Sequence, residues 1–195
     1  GKITMAKLYF RYATMNGGKT LDLIRSAYNY QEMGMDVIVL KPEIGTRTEE
    51  INELFSRAGV RFSCTPFSKE ADLNQIILNG KNYRAVFVDE AQFLTKEQVD
   101  QLSRIAELND IPVLCYGLRN NFKTELFEGS KRLMELADTI GEIKSICKCG
   151  RKATQNARLI DGKMATDGAE ILIGDKDIYE PVCAKCYYEM LDNQN

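Results

Sequence analysis

The stretch Ala13-Thr14-Met15-Asn16-Gly17-Gly18-Lys19-Thr20 decides the fold of this chain. It follows a short apolar strand candidate at residues 8–10 and opens a segment with apolar residues at helical spacing. A strand, a glycine turn and a helix beginning at Lys-Thr form a cradle for a triphosphate. Backbone N–H groups and the helix N-terminus face the anion, the lysine reaches the outer phosphates, and the hydroxyl binds Mg²⁺. The stretch therefore predicts a phosphate-binding loop.

One position departs from the usual pattern of such a P-loop. The pattern begins with glycine, and this chain has Ala13 there. We expect the extra glycine at Gly17 to supply the backbone freedom that is lost. The alternative is a glycine-rich turn between a strand and a helix, with Lys19 as an ordinary surface lysine. The flanking strand and helix candidates favour phosphate binding.

Composition excludes several classes of protein. A chain of 195 residues fits one domain, or one domain with a small appendage. The 26 Lys and Arg residues against 28 Asp and Glu residues give a net charge of −2, without the basic stripe of a nucleic-acid binder. No apolar run approaches the ~20 residues that span a bilayer, and no export signal is visible at the start of the chain. We therefore expect a cytoplasmic protein that binds neither nucleic acid nor membrane.

Strand and helix signals alternate over the first two-thirds of the chain. Strands separated by crossover helices predict an α/β fold, in which a mostly parallel sheet is flanked by helices. Thr95 followed by Gln98 is typical of a capping box at a helix start. The predicted buried strands are 36–40, 85–88 and 111–116, with a weaker strand at 60–62, helices at 71–78 and 95–108, and a loop at the start of 41–59.

The character of the sequence changes near Ile140. Turn signals at Asp161-Gly162 and Asp167-Gly168 separate short β-like pieces, and residues 184–191 predict a short helix. We predict two domains: a P-loop ATP-binding domain at residues 1–143 and a small β-rich domain, which contains four of the six cysteines, at residues 144–195.

Asp89 and Glu90 follow the apolar run at residues 85–88. An acidic residue at the end of a buried strand is the usual partner of a P-loop, because it reaches Mg²⁺ or its water shell. Asp89 fits that position. Glu90 adds a carboxylate that could take a proton from an attacking hydroxyl. A solvated Asp-Glu pair is the alternative, but the chain contains no histidine, which leaves Glu90 as the candidate base near the loop.

Four of the six cysteines form two close pairs, Cys147-Lys148-Cys149 and Cys183-Ala184-Lys185-Cys186. Disulfides are unexpected in a chain without a visible export signal, so the pairs favour a metal. Four thiolates complete a closed tetrahedral zinc site of the structural kind. A redox pair or four unrelated buried cysteines are the alternatives.

These motifs occur together with further characteristic segments of the chain. In combination they resemble the type II, cytosolic-type thymidine kinase family over nearly the whole length. The Asp-Glu-x-Gln-Phe element together with the cysteine pairs is the most specific part. The matching segments are residues 8–10, 15–20, 88–94 and 112–119, Phe122, the two cysteine pairs, Ile173-Gly174, and Tyr179 shortly before Cys183.

The resemblance implies transfer of the γ-phosphoryl group of ATP to the 5′-hydroxyl of thymidine, with deoxyuridine as a further candidate substrate, in pyrimidine salvage for DNA synthesis. It makes Glu90 the catalytic base, and Thr20 and Asp89 the residues that support Mg²⁺. The ATP site would comprise Ala13, Thr14, Met15, Asn16, Gly17, Gly18, Lys19, Thr20, Asp89, Glu90, Ala91 and Gln92.

The resemblance also implies a nucleoside pocket and a lid, or lasso loop, anchored by zinc. Main-chain groups of the lid would meet the thymine, and Tyr179 would pack on the base. Without the resemblance, ordinary core or hairpin packing explains the same side chains. The implied pocket comprises Met15, Phe93, Leu118, Phe122, Phe127, Glu170, Ile171, Leu172, Ile173, Gly174 and Tyr179.

The family is usually a homotetramer inhibited by dTTP, and both properties are expectations here. Three other classes stay open. A P-loop ATPase or regulatory nucleotide-binding protein could use a zinc ribbon to bind a protein partner. A zinc-ribbon module for nucleic acid is disfavoured by the charge and by the lack of interleaved basic and aromatic residues at 147–186. A different nucleoside kinase fold would normally show an arginine-rich lid, which this sequence lacks.

Overall fold

The structure is a computed structural model, and it describes residues 7–15, 17–44, 52–168 and 178–193. Its centre is a six-stranded sheet in which every paired strand runs parallel. The central strands are buried on both faces, which explains their continuous apolar sequence. The spatial order is β5 (Thr65–Phe67), β2 (Val37–Pro42), β6 (Ala85–Val88), β7 (Val113–Leu118), β1 (Leu8–Ala13) and β8 (Thr139–Glu142).

Helices cover both faces of this sheet. On one face α1 (Lys19–Glu32) buries Leu23 and Ala27 against Phe87 and Tyr116. On the other face lie α2 (Leu73–Ile77), α3 (Lys96–Leu108) and α4 (Glu128–Leu136), whose apolar residues join the larger core cluster. The predicted capping box is present at the start of α3, where Thr95 and Gln98 bond to each other's backbone N–H groups.

Within the described ranges, two smaller sheets lie outside the central one. The first is a hairpin of β3 (Glu53–Phe55) and β4 (Arg61–Ser63). The second is antiparallel, in the order β10 (Lys163–Met164), β9 (Gln155–Ile160) and β11 (Ile178–Val182), and is followed by α5 (Ala184–Asp192). It has its own buried cluster, which includes Cys147, Cys183 and Cys186. None of the helices in the described ranges has the length and apolar character needed to cross a membrane.

The predicted α/β class with a mostly parallel sheet is confirmed. Three local predictions differ from the structure. The weak strand predicted at residues 60–62 pairs in the β3–β4 hairpin rather than in the central sheet. The helix predicted at 71–78 is shorter, at Leu73–Ile77. Strand β8 was not expected, because Thr139-Ile140-Gly141-Glu142 is an edge strand with exposed or half-buried side chains and lacks a buried apolar run.

Candidate active site

The loop between β1 and α1 has the geometry of a P-loop. Gly18 begins the helix with φ of 79°, a left-handed conformation that glycine adopts without steric cost. Gly17 supplies space: a Cβ built there would lie 2.8 Å from the Cβ of Ala13. The alanine that replaces the usual first glycine is thus accommodated by a glycine four residues later. Asn16 lies outside the described residues.

The phosphate loop faces the acidic end of β6. The Lys19 ammonium Nζ lies 3.0 Å from Glu90 Oε1 and 3.4 Å from Asp89 Oδ1. The Thr20 hydroxyl donates to Asp89 Oδ2 at 3.1 Å. Because β1 and β6 run parallel in one sheet, their carboxyl ends lie at the same edge, and α1 begins there. Thr20 and Asp89, the two residues expected to support Mg²⁺, are therefore in direct contact.

Glu90 is held in an unusual backbone conformation. Its φ of 51° and ψ of 40° are left-handed, which is uncommon for a residue with a side chain and is found at sites that demand a fixed geometry. It is followed by a 3₁₀ turn at Ala91–Phe93. Gln92 donates from Nε2 to Glu90 Oε2 at 2.6 Å and accepts at Oε1 from the backbone N–H of Leu118 at 3.1 Å. The buried Gln92 therefore connects the Glu90 carboxylate to strand β7.

A Cβ on Gly117 would lie 2.8 Å from Gln92 Oε1. Glycine at that position leaves room for the side-chain amide of Gln92, a residue that is 2% exposed. Strand β7 thus accepts the Gln92 side chain in a close-packed slot.

Charge pairing fixes the protonation states at this edge. Burial disfavours the charged form of Lys19, but the carboxylates of Asp89 and Glu90 outweigh it and raise the pKa of the ammonium. Burial likewise disfavours the carboxylate of Glu90, but the neighbouring Lys19, the Gln92 hydrogen bond and the charge of Lys41 lower its pKa. Glu90 is therefore a carboxylate at neutral pH and can accept a proton.

A cavity of about 220 Å³ opens beside Glu90. Aromatic rings form one wall, where Phe93 and Phe127 meet edge to face with ring centroids 5.5 Å apart. Amide side chains lie among the aromatic ones, an arrangement that suits a flat ring with polar edges. The lining residues are Met15, Lys41, Ile44, Glu90, Gln92, Phe93, Leu118, Asn120, Asn121, Phe122, Phe127, Asn156 and Tyr179.

The two cysteine pairs come together. The sulfur atoms of Cys147, Cys149, Cys183 and Cys186 all lie within 4.8 Å of one another, and those of Cys149 and Cys183 are 3.6 Å apart. A tetrahedral zinc with Zn–S bonds of about 2.3 Å places its sulfurs about 3.8 Å apart. The four thiols can hold a metal ion, and both the donor type and the spacing suit zinc.

The thiols cannot all ionise independently at this distance. Burial opposes ionisation of Cys147, but the backbone N–H groups of Cys149 and Cys183 lower its pKa to about 6. The contacts of Cys186 with the other thiols raise its pKa to about 12. A bound cation would remove this opposition, because thiolate is the form that ligates metals.

Comparison with known proteins agrees with this geometry. The family model described as thymidine kinase matches residues 6–187. The chain is 48% identical to the thymidine kinase of Pasteurella multocida over 191 residues, which cover 96% of this chain and 99% of that protein. It is 45% identical to the thymidine kinase of Enterobacteria phage T4 over 190 residues, covering 95% and 97%. The chain belongs to the thymidine kinase family. The resemblance predicted from the sequence is thereby confirmed.

In this member of the thymidine kinase family, residues predicted for two sites lie around one edge of the sheet. Glu90 was predicted for catalysis and for the ATP site, and the structure shows that it both contacts Lys19 and lines the cavity. The Ala91 side chain is fully buried in the core. Glu170, Ile171, Leu172, Ile173 and Gly174 lie outside the described residues. The predicted pocket residues that line the cavity are Met15, Phe93, Leu118, Phe122, Phe127 and Tyr179.

Sequence reasoning did not assign four polar residues that line the cavity, Lys41, Asn120, Asn121 and Asn156. Asn120 and Asn121 follow β7 directly, and polar residues after a parallel strand are a usable signal for a binding edge. Lys41 is the penultimate residue of strand β2 and could have been found in the same way. Asn156 lies within β9 of the small sheet, and no local pattern places that strand beside the phosphate loop.

Proposed function

We propose that this chain transfers the γ-phosphoryl group of ATP to the 5′-hydroxyl of thymidine. The observation that carries the proposal is the position of Glu90. Its carboxylate contacts Lys19 of the phosphate loop and also faces the cavity. A hydroxyl group of a ligand in the cavity and a phosphate on the loop would therefore meet at one carboxylate.

In the proposed reaction Glu90 accepts the proton of the 5′-hydroxyl while the oxygen attacks the γ-phosphorus. The bond between the γ-phosphorus and the bridging oxygen breaks, and ADP leaves with its electron pair. Lys19 and the loop N–H groups stabilise charge on the phosphates. Thr20 and Asp89 would hold the Mg²⁺ that accompanies ATP and neutralises part of that charge. A bound phosphate would also compete with Glu90 for the Lys19 ammonium, which makes Glu90 a stronger base.

The aromatic walls of the cavity support a nucleoside as the acceptor. Phe122 and Tyr179 both line the cavity, and aromatic rings pack well against a flat base. The side-chain amide of Asn120 also lines the cavity, and an amide suits the carbonyl and N–H groups of a pyrimidine. Deoxyuridine differs from thymidine by one methyl group, so we propose it as a second, weaker substrate.

We propose that the cysteine cluster binds one structural zinc ion in a small domain of residues 144–195, and that residues 1–143 form the ATP-binding domain. Dialysed protein should contain about one zinc per chain, and Cys147→Ser should lower that content sharply. Retention of full zinc by the variant would contradict the ligand assignment. A cytoplasmic homotetramer inhibited by dTTP is a further proposal, which rests on the family resemblance alone.

The decisive experiment measures phosphoryl transfer from labelled ATP to each of the four deoxynucleosides. We expect transfer to thymidine, weaker transfer to deoxyuridine in a parallel reaction, and little hydrolysis of ATP without a nucleoside. Lys19→Met should reduce transfer by about 10²–10³-fold, because it removes the ammonium charge that stabilises the phosphates. The methionine side chain is nearly as long, so the packing of the loop should be kept. ATP hydrolysis that is independent of any nucleoside would instead indicate an ATPase or regulatory nucleotide-binding protein.

A further inference from the structure

Two polar contacts connect the cysteine-rich region to the phosphate loop. Asn156 in β9 accepts a hydrogen bond at Oδ1 from the backbone N–H of Met15, at 2.8 Å. The hydroxyl of Ser145 is hydrogen-bonded to the hydroxyl of Thr14. Thr14 and Met15 both lie in the loop between β1 and α1. The loop is therefore held from the cysteine side of the molecule as well as by the helix that follows it.

The Asn156 contact is well defined. The residue is 3% exposed, and its Nδ2 donates to the backbone carbonyl of Asn120 at 3.0 Å. A backbone N–H can only donate and a carbonyl can only accept, so the two partners fix the orientation of the amide. Asn156 thus joins three segments at one point: the phosphate loop, the segment after β7, and β9.

Both residues lie near the predicted metal ligands, Ser145 along the chain and Asn156 across the small sheet. Ser145 lies two positions before Cys147 in the chain. Asn156 pairs across the small sheet with Pro181, which lies two positions before Cys183. A metal ion that ties the two cysteine pairs together would therefore fix Ser145 and Asn156 relative to each other. Few residues separate the four sulfur atoms from the phosphate loop, so ordering of the cysteine cluster should also order the loop.

We propose that Ser145 and Asn156 form a latch through which the metal-bound cysteine cluster orders the phosphate loop for ATP. Neither side chain reaches the expected reacting atoms, so both are positioning residues. Without Asn156 the Met15 N–H would lose its acceptor, and the loop would have to be ordered when ATP binds. The proposal rests on the proposed function and adds a role for the small domain in binding the phosphate donor as well as the nucleoside.

The test measures binding of a non-hydrolysable ATP analogue with Mg²⁺ by calorimetry, using zinc-loaded protein without nucleoside. Asn156→Ala should weaken binding about 5- to 20-fold, and Ser145→Ala about 2- to 5-fold, with the zinc content unchanged. In turnover assays the KM for ATP should rise while kcat at saturating ATP stays within about threefold of the parent, since no reacting group has been removed.

Gln98→Ala is the matched control. Gln98 is also a buried amide, 2% exposed, but its Oε1 accepts from the backbone N–H of Thr95 and its Nε2 donates to the backbone carbonyls of Ser68 and Ala71, none of which belongs to the phosphate loop or the cavity. The affinity of this variant for the ATP analogue should stay within about twofold of the parent. An equal loss of affinity in Gln98→Ala and Asn156→Ala would indicate general loosening and would overturn the latch.

Unchanged analogue affinity in zinc-loaded Asn156→Ala would also overturn the proposal. If that variant does not fold, Ser145→Ala decides the question: weaker binding supports the latch, and parental binding overturns it. The titration contains no nucleoside, so it is independent of which acceptor the enzyme uses. Absence of thymidine phosphorylation by the parent protein would contradict the proposed function. The titration would still test the latch, because it measures only the affinity for the ATP analogue.

Discussion

The phosphate edge and the cavity meet at Glu90, but they are built in different ways. The phosphate edge takes Lys19 and Thr20 from one contiguous motif and Asp89 from the end of one strand. The cavity takes its walls from separate segments that extend from Met15 to Tyr179. Binding of phosphate relies on backbone geometry that a short sequence can specify. Recognition of an acceptor relies on side chains that only the complete fold brings together.

The largest effect is expected at Glu90, where the two regions meet. Glu90→Gln keeps the shape of the side chain and removes its ability to accept a proton. We expect kcat to fall by ~10²–10⁴-fold with small changes in either KM. Steady-state assays with ATP and thymidine measure this directly. The control is Asp100→Asn, which removes a carboxylate paired with Arg132 between the outer helices and should leave the rate near that of the parent. A parental rate in Glu90→Gln would move the base elsewhere.

The features that could be predicted from the sequence follow the same division between the phosphate edge and the cavity. The P-loop, the acidic pair after β6 and the cysteine cluster were predicted because each is a short pattern with a fixed spacing. The parallel sheet was predicted because its central strands are buried on both faces and so are continuously apolar. Strand β8 was missed since it lies at the sheet edge and its residues are partly exposed. Its pairing with β1 depends on tertiary contacts that four residues do not encode.

The polar part of the cavity was less predictable. Gln92 was expected in the ATP site, and the structure gives its amide two protein partners, Glu90 and the backbone of Leu118. Asn156 comes from a strand that is remote from the phosphate loop in sequence, and its contact with Met15 appears only after the small sheet has folded. Such contacts join distant segments, and no periodicity or motif in a single sequence reports them.

The next largest effect is expected at Gln92, which holds Glu90 from the cavity side. Gln92→Met preserves the approximate volume and removes both hydrogen bonds of the amide. Loss of a hydrogen bond to a charged group should reduce kcat by about 10- to 100-fold. Because the Gln92 donor helps to lower the pKa of Glu90, its removal raises that pKa. The acid limb of the pH–rate profile should therefore shift to higher pH, with activity lost sooner as the pH falls.

A pure packing defect would behave differently in that experiment. It would lower the rate at every pH and leave the acid limb in place. A profile identical in shape to that of the parent would thus exclude a role for Gln92 in setting the protonation of Glu90.

Tyr179→Ala tests the cavity alone. The tyrosine lines the cavity from β11, whereas the contacts of Lys19 and Thr20 are with the acidic pair after β6. Removal of its ring should raise the KM for thymidine about 10-fold, as expected for loss of one aromatic contact with a base, and leave the KM for ATP nearly unchanged. The control is Tyr188→Ala, since Tyr188 is 61% exposed on α5 and should not affect either KM. Equal rises in both KM values would mean that the two regions are not separable at this residue.

The smallest effect is expected within the phosphate loop, at the position that departs from the usual motif. Ala13→Gly restores the common glycine and should change the KM for ATP by no more than about twofold, because Gly17 already leaves room for the alanine methyl group. Gly17→Ala should be more damaging, since its Cβ would lie 2.8 Å from that methyl group and 3.1 Å from the carbonyl oxygen of Thr14.

In the double variant, Ala13→Gly with Gly17→Ala, the closer clash is absent and the remaining one needs only a small shift, so most of the ATP affinity should return. Steady-state measurement of the KM for ATP in the three variants gives the coupling between the two sites. Additive effects would show that Ala13 and Gly17 do not share space, and that the chain tolerates alanine in the motif for another reason.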